Sequence, residues 1–162
     1  MWLVPVCRLT RDGNVNSPAL LDSSRLRALW AKPLLRSAAA IDGLFHRGVV
    51  VCEGDADVRF YEAATRRLER RGQLDRASDL YFTQGGGKGE LATLAGACTQ
   101  LRTKTAVVAD LDLVRNETEL SKVIEAMGGN LETWRGKYNS LKASLASRPP
   151  LTSVKEFVSQ VR

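Results

Sequence analysis

The sequence predicts an α/β protein, a mainly parallel sheet flanked by helices with a helical C-terminal subdomain, and three observations carry that prediction. Val49-Val50-Val51-Cys52 is an unbroken apolar run of the kind found in strands covered on both faces. Strand-like and helix-like segments alternate after it in units of roughly 30 residues, as right-handed βαβ crossovers require. Turn-forming glycines follow the first two strands, in Glu53-Gly54 and Gln84-Gly85-Gly86-Gly87.

Taken in order, Trp2 to Cys7 reads as a short strand, and residues 8–20, which include the turn-forming Asp12-Gly13-Asn14, read as a connection. Asp22-Ser23-Ser24 offers N-caps to a helix holding Leu26, Leu29 and Trp30. Pro33 breaks that helix before a second helical run from Leu34 to Ile41, which Gly43 stops. The strand at 49–52 leads into a helix from about Asp55 to Arg71, with Phe60, Tyr61, Ala64 and Leu68 as its apolar stripe. A strand over Asp79 to Thr83 and a helix over Lys88 to Leu101, carrying Leu91, Leu94, Ala95 and Cys98, repeat the unit. A third strand, Thr105 to Ala109, ends in Asp110-Leu111-Asp112. From Glu117 onward the pattern is helical: Glu117 to Met127, a Gly128-Gly129-Asn130 break, Leu131 to Ala146, then Pro149-Pro150 and a last helix from about Thr152. The expected organisation is a leading segment over 1–47, an α/β core over 48–115 and a helical subdomain over 116–162.

A chain of 162 residues can bury a core without disulfides or a structural metal. Cys7, Cys52 and Cys98 are widely spaced with no CxxC pair, and His46 is the only histidine, so zinc is disfavoured and the thiols are expected to be reduced. No charge-free run approaches bilayer length, and Arg8 and Arg11 follow the apolar start too soon for a secretory signal. A cytoplasmic protein without a membrane partner is expected. The formal charge of +6 and pI near 9.5 favour an anionic partner, of which nucleic acid is the commonest. That charge is uneven, because a basic helix bearing Arg59, Arg66, Arg67, Arg70 and Arg71 lies beside a tight set of acids.

The acids are where the chemistry lies. Glu53 closes the first βα strand, Asp110 and Asp112 close the third, and adjacent parallel strands would bring all three to one edge. Asp57 follows Glu53 by four residues, in the first turn of the next helix, where the helix dipole also favours an acid. Any one of them alone reads better as an N-cap, and Asp55 is best read that way. Together they form an all-oxygen donor set suited to Mg²⁺ or Mn²⁺, one or two ions, and hence to phosphoryl transfer.

At this point Val-Val-Val-Cys-Glu-Gly-Asp-Ala-Asp-Val-Arg-Phe-Tyr at 49–61, followed by Ala-Val-Val-Ala-Asp-Leu-Asp at 106–112, resembles the TOPRIM domain, a Rossmann-like fold. The likeness covers about residues 48–127. The acid four residues after the glutamate, the Phe-Tyr pair, the Gly-Gly-Gly-Lys turn and the helical segment after the DxD are most similar to the OLD-family (overcoming lysogenization defect) nucleases. The resemblance implies Glu53, Asp57, Asp110 and Asp112 as catalytic metal ligands of a Mg²⁺- or Mn²⁺-dependent DNA endonuclease, with water as nucleophile. It implies DNA as substrate and an ABC-type ATPase domain or subunit as a further partner, since that family fuses such an ATPase to this domain and none is read here. A second copy of the chain is a further candidate partner. The family also draws an acid and a lysine from a later segment, for which 116–162 offers no recognisable counterpart.

Other features carry bland readings beside sharper ones. Gly85-Gly86-Gly87-Lys88-Gly89 is not a Walker A motif, since Phe82 stands where its first glycine belongs and Gly89 follows the lysine. A tight turn needing positive φ is the better reading, with Lys88 placed to touch a DNA phosphate. Arg66 and Arg70, with Arg67 and Arg71, form either a solvated face paired with Glu62 and Glu69 or contacts to the DNA backbone. Trp2, Trp30 and Trp134 are scattered and read as core or interface anchors. Two rival functions stand beside the nuclease. One is a catalytically silent module that binds DNA or a partner. The other is a haloacid dehalogenase-type phosphatase, because Val107 to Val114 also resembles that family's opening motif with Asp110 as nucleophile.

Overall fold

The computed structural model describes residues 5–31, 42–43, 46–75 and 79–147, apart from the side chains of Arg25, Leu29, Trp30 and Lys88. Trp2, the second helical run at 34–41, the Pro149-Pro150 break and the last helix expected from Thr152 lie outside the described residues. The chain divides into two compact units, Met1–Leu131 and Glu132–Arg162.

The first unit opens on an antiparallel hairpin, β1 (Val6–Asp12) and β2 (Val15–Leu21). Residues 8–20, expected as a connection, are therefore mostly strand. Asp12 pairs with Val15 across Gly13-Asn14, and Gly13 has φ +57°, as a tight two-residue hairpin loop demands. Asp22 then caps helix α1 (Ser23–Ala31), its Oδ1 accepting the Ser24 N–H at 2.9 Å.

The α/β core follows as β3 (Gly48–Cys52), α2 (Asp55–Arg70), β4 (Leu80–Gln84), α3 (Lys88–Gln100) and β5 (Lys104–Val108). The strands form one parallel sheet in the order β4-β3-β5, with Val50 level with Phe82 on one side and Ala106 on the other. The chain leaves β3 for its neighbour on one side and returns on the other. With right-handed crossovers, α2 and α3 must therefore cover opposite faces. Beyond β5 come a 3-10 turn (Leu111–Arg115) and α4 (Glu117–Ala126), which Asn116 caps by accepting the Glu119 N–H at 3.2 Å.

Periodicity explains the core. Val49 and Val51 point to one sheet face and meet Leu91, Leu94, Ala97, Cys98 and Leu101 of α3 and its C-cap, with Leu113 and Val123 behind them. Leu21 and Leu26 join the same cluster, so hairpin and α1 are held to it by burial. Arg8 adds a polar clamp, donating to the carbonyls of Leu101 and His46 and to the Thr103 hydroxyl. The opposite face is thinner, since no residue of α2 is fully buried. Of the expected stripe only Ala64 is half-buried, while Tyr61 and Leu68 are 36% and 42% exposed along the flank of the helix and Phe60 is 66% exposed. One position along a helix turns a side chain by about 100°, and that step carries Phe60 out of the stripe.

In the second unit, Tyr138 of α5 (Arg135–Ser147) is buried, with the Arg135 guanidinium and the Lys142 ammonium 5.8 and 5.5 Å from its ring centre. Trp134 is 52% exposed with the Lys137 ammonium 4.7 Å from its ring centre. Among the described residues no helix is long and apolar enough to cross a membrane.

Candidate metal centre

Strand order reverses about β3, and open α/β sheets bind ligands beyond the carboxyl end of the strand where that happens. Glu53 stands there, the first residue past β3, and its main chain is fastened on both sides. Its N–H donates to the Val108 carbonyl of β5 at 3.0 Å, and its carbonyl accepts the Gly87 N–H at 3.3 Å. Gly85 N–H donates to the Cys52 carbonyl one residue earlier, at 2.7 Å. The glycine turn between β4 and α3 therefore wraps the end of β3. Gly86 and Gly87 hold φ of +82° and +100° there, as the tight-turn reading of this segment requires. What the sequence did not display is that the turn fixes Glu53; glycine spacing signals the bend and not its neighbour.

Asp110 arrives from β5. Its N–H donates to Glu53 Oε2 at 3.2 Å, and its carbonyl accepts from Leu113 N–H at 3.0 Å, which starts the 3-10 turn carrying Asp112. Leu113 is buried and anchors the turn, leaving Asp110 and Asp112 exposed beside Glu53. One carboxylate oxygen from each of Glu53, Asp110 and Asp112 lies within 4.8 Å of the other two. Three anionic oxygens so close are a donor set that could hold a hard divalent cation.

Asp57 lies outside that group of mutually close oxygens. Its Oδ2 accepts the Gly54 N–H at 3.1 Å, capping the start of α2 and bracing the Glu53-Gly54 turn. Asp55 pairs with Arg59 at 2.8 Å along the helix surface. Cys52 precedes Glu53 but is fully buried, and burial, aided by the Asp57 charge, pushes its thiol up to about 11. It stays protonated near neutrality. His46 donates from Nδ1 to the Asp42 carbonyl at 2.9 Å and packs on Tyr81.

Residues 44–112 match the family described as overcoming lysogenization defect protein-like, TOPRIM domain. Those residues are an OLD-like TOPRIM domain. The match takes in β3 through β5 and ends on Asp112, so all three clustered acids fall inside it. No curated protein and no solved structure gave a match to the chain. Of the residues expected to touch DNA phosphate, Arg66 and Arg70 lie on the exposed surface of α2, while the Lys88 side chain lies outside the described residues.

Proposed function

We propose that this TOPRIM domain hydrolyses DNA phosphodiesters with Mg²⁺ or Mn²⁺ held by Glu53, Asp110 and Asp112, as a nuclease or the nuclease part of a larger ATPase-nuclease. The observation that carries the reading is the meeting of those three carboxylates from two separate strand ends within 4.8 Å. Bound there, one or two such ions would supply Lewis-acid activation of water and stabilisation of the leaving oxygen. The chain's own residues do the rest. Glu53, locked by β5 and the glycine turn, sets the site's fixed edge. Asp110 and Asp112 present their oxygens from the 3-10 turn, and Asp57 serves as the fourth acid by holding the turn that bears Glu53. Arg66, Arg70 and Lys88 contribute positive charge toward the DNA backbone.

Supercoiled plasmid incubated with the full chain and Mn²⁺ tests this. Relaxed or linear product is expected from the wild type, with a loss of at least 100-fold in Asp110→Ala, whose main-chain bond to Glu53 the substitution leaves intact. Plasmid bound but uncut by wild type would replace the nuclease with a binding module. A phospho-aspartate, with turnover of a phosphate monoester and none of DNA, would make Asp110 a nucleophile instead.

A further inference from the structure

We propose that the outer face of α2 is a landing strip for single-stranded DNA, with Phe60 as the ring on which an unpaired base stacks. A lone exposed phenylalanine is ordinary on a protein surface; its surroundings set this one apart. Phe60 is 66% exposed and is braced by Tyr61, whose ring meets it edge-on at 5.2 Å and 85°. On a helical wheel Arg67 and Arg71, seven and eleven residues on, fall within about 20° of Phe60. The residues three and four further along are Ala63 and Ala64, so no tall side chain separates the ring from those guanidiniums. Arg59, Arg66 and Arg70 line the neighbouring edge of the same exposed surface.

Charge decides what the surface fits. The acids of α2 leave the strip: Asp55 and Glu62 pair with Arg59 and Arg66, Asp57 caps the helix, and Glu69, nine residues beyond Phe60, falls on the opposite side of the helical wheel. The outward strip thus carries arginine, alanine and one phenylalanine and no carboxylate. A strip of arginines with no carboxylate among them suits a polyanion, and a cationic track with an aromatic platform is how single strands are held. Duplex DNA keeps its bases stacked inside and would use the arginines alone. The track is about 24 Å long, and Phe60 lies about 8 Å along it from the helix start, which adjoins Glu53. This inference rests on the cleavage reading only for where the strand leads: its broken phosphodiester would lie at the acids and its flanking bases along α2.

Fluorescence anisotropy with a labelled 20-nucleotide oligothymidylate and a 20-base-pair duplex, both in EDTA so that nothing is cut, tests it on the full chain. Phe60→Ala should weaken the single strand about 5- to 100-fold with the duplex little changed, and Phe60→Trp should restore it. Arg67→Gln with Arg71→Gln should weaken both and lower the salt slope on the single strand by about 1.4. Unchanged single-strand affinity in Phe60→Ala overturns the proposal. So does a wild-type dimer in sedimentation that Phe60→Ala dissociates, since the face would then belong to a second copy. Binding is read without metal, so a protein that cuts nothing yet loses the single strand on Phe60→Ala would sink the nuclease reading and leave this one standing.

Discussion

The three thiols differ by environment alone. Cys7 is exposed, whereas Cys52 and Cys98 are fully buried. Burial pushes Cys52 to about 11 and Cys98 to about 12, the latter despite the nearby Arg8 guanidinium. Alkylation of the native chain at pH 8 should therefore modify one cysteine quickly, identified by mass spectrometry as Cys7. In the unfolded chain both buried thiols ionise near 9.0, so above that pH the unfolded state has shed protons that the folded state retains. Stability should fall as pH rises from 9 toward 11. Urea midpoints between pH 8 and 10.5 should decline more steeply for wild type than for Cys52→Ala with Cys98→Ala; equal slopes would refute the assignment. At this scale the sequence was most readable where a residue sits at a strand end. Glu53, Asp110 and Asp112 were visible because a strand ends at one predictable place, and adjacency of two strands is enough to join them. Asp57 was harder to read. An acid in a first helical turn can point either to a ligand or back to its own N-cap, and Gly54 N–H draws its Oδ2 to the cap.

Among the elements, the three βα strands were legible because four-residue apolar runs and turn glycines are strong local signals, and their observed bounds differ from the expected ones by only a residue or so. The hairpin was not. Its strands mix Arg8, Thr10, Asn16 and Pro18, and only alternate residues such as Ala19 and Leu21 are buried, since one face alone packs on the core. Pro18 argues against a strand in a sheet's interior but is tolerated in a two-stranded ribbon, where each strand is an edge. The element with most functional consequence is the glycine turn. A Cβ on Gly85 would lie 2.6 Å from Leu91 Cδ2 and 3.3 Å from Leu91 Cα, and Gly87 sits at a φ that L-residues resist. Gly85→Ala and Gly87→Ala should each cost about 1–3 kcal/mol and should raise the Mn²⁺ concentration for half-maximal cleavage, because the turn holds Glu53. Gly13→Ala, also at positive φ but in the hairpin loop, should lose stability without that shift. If all three moved the Mn²⁺ requirement together, the turn would be acting only through global stability.

At the scale of the molecule, the acid cluster joins parts that the sheet and the hydrophobic core also hold together. Glu53 belongs to the first βα unit, and Asp110 and Asp112 begin the segment that leads to α4. Their like charges oppose one another in the native chain and lie far apart once it unfolds, so a cation that binds the cluster favours the folded state by mass action. At an ion concentration 100 times its Kd the linkage is about 2.7 kcal/mol, which for a chain of this length corresponds to a rise of about 5–10 °C in Tm. Calorimetry with Mn²⁺ and no DNA should show that rise in the wild type and none in Asp110→Ala. The two unfolding curves should coincide in their ion response only if the cation sits elsewhere, and a wild-type Tm indifferent to millimolar Mn²⁺ would leave the three carboxylates without the ligand their geometry suits. The test reads binding and not turnover, so it separates a site that holds no ion from one that holds an ion and fails to cut.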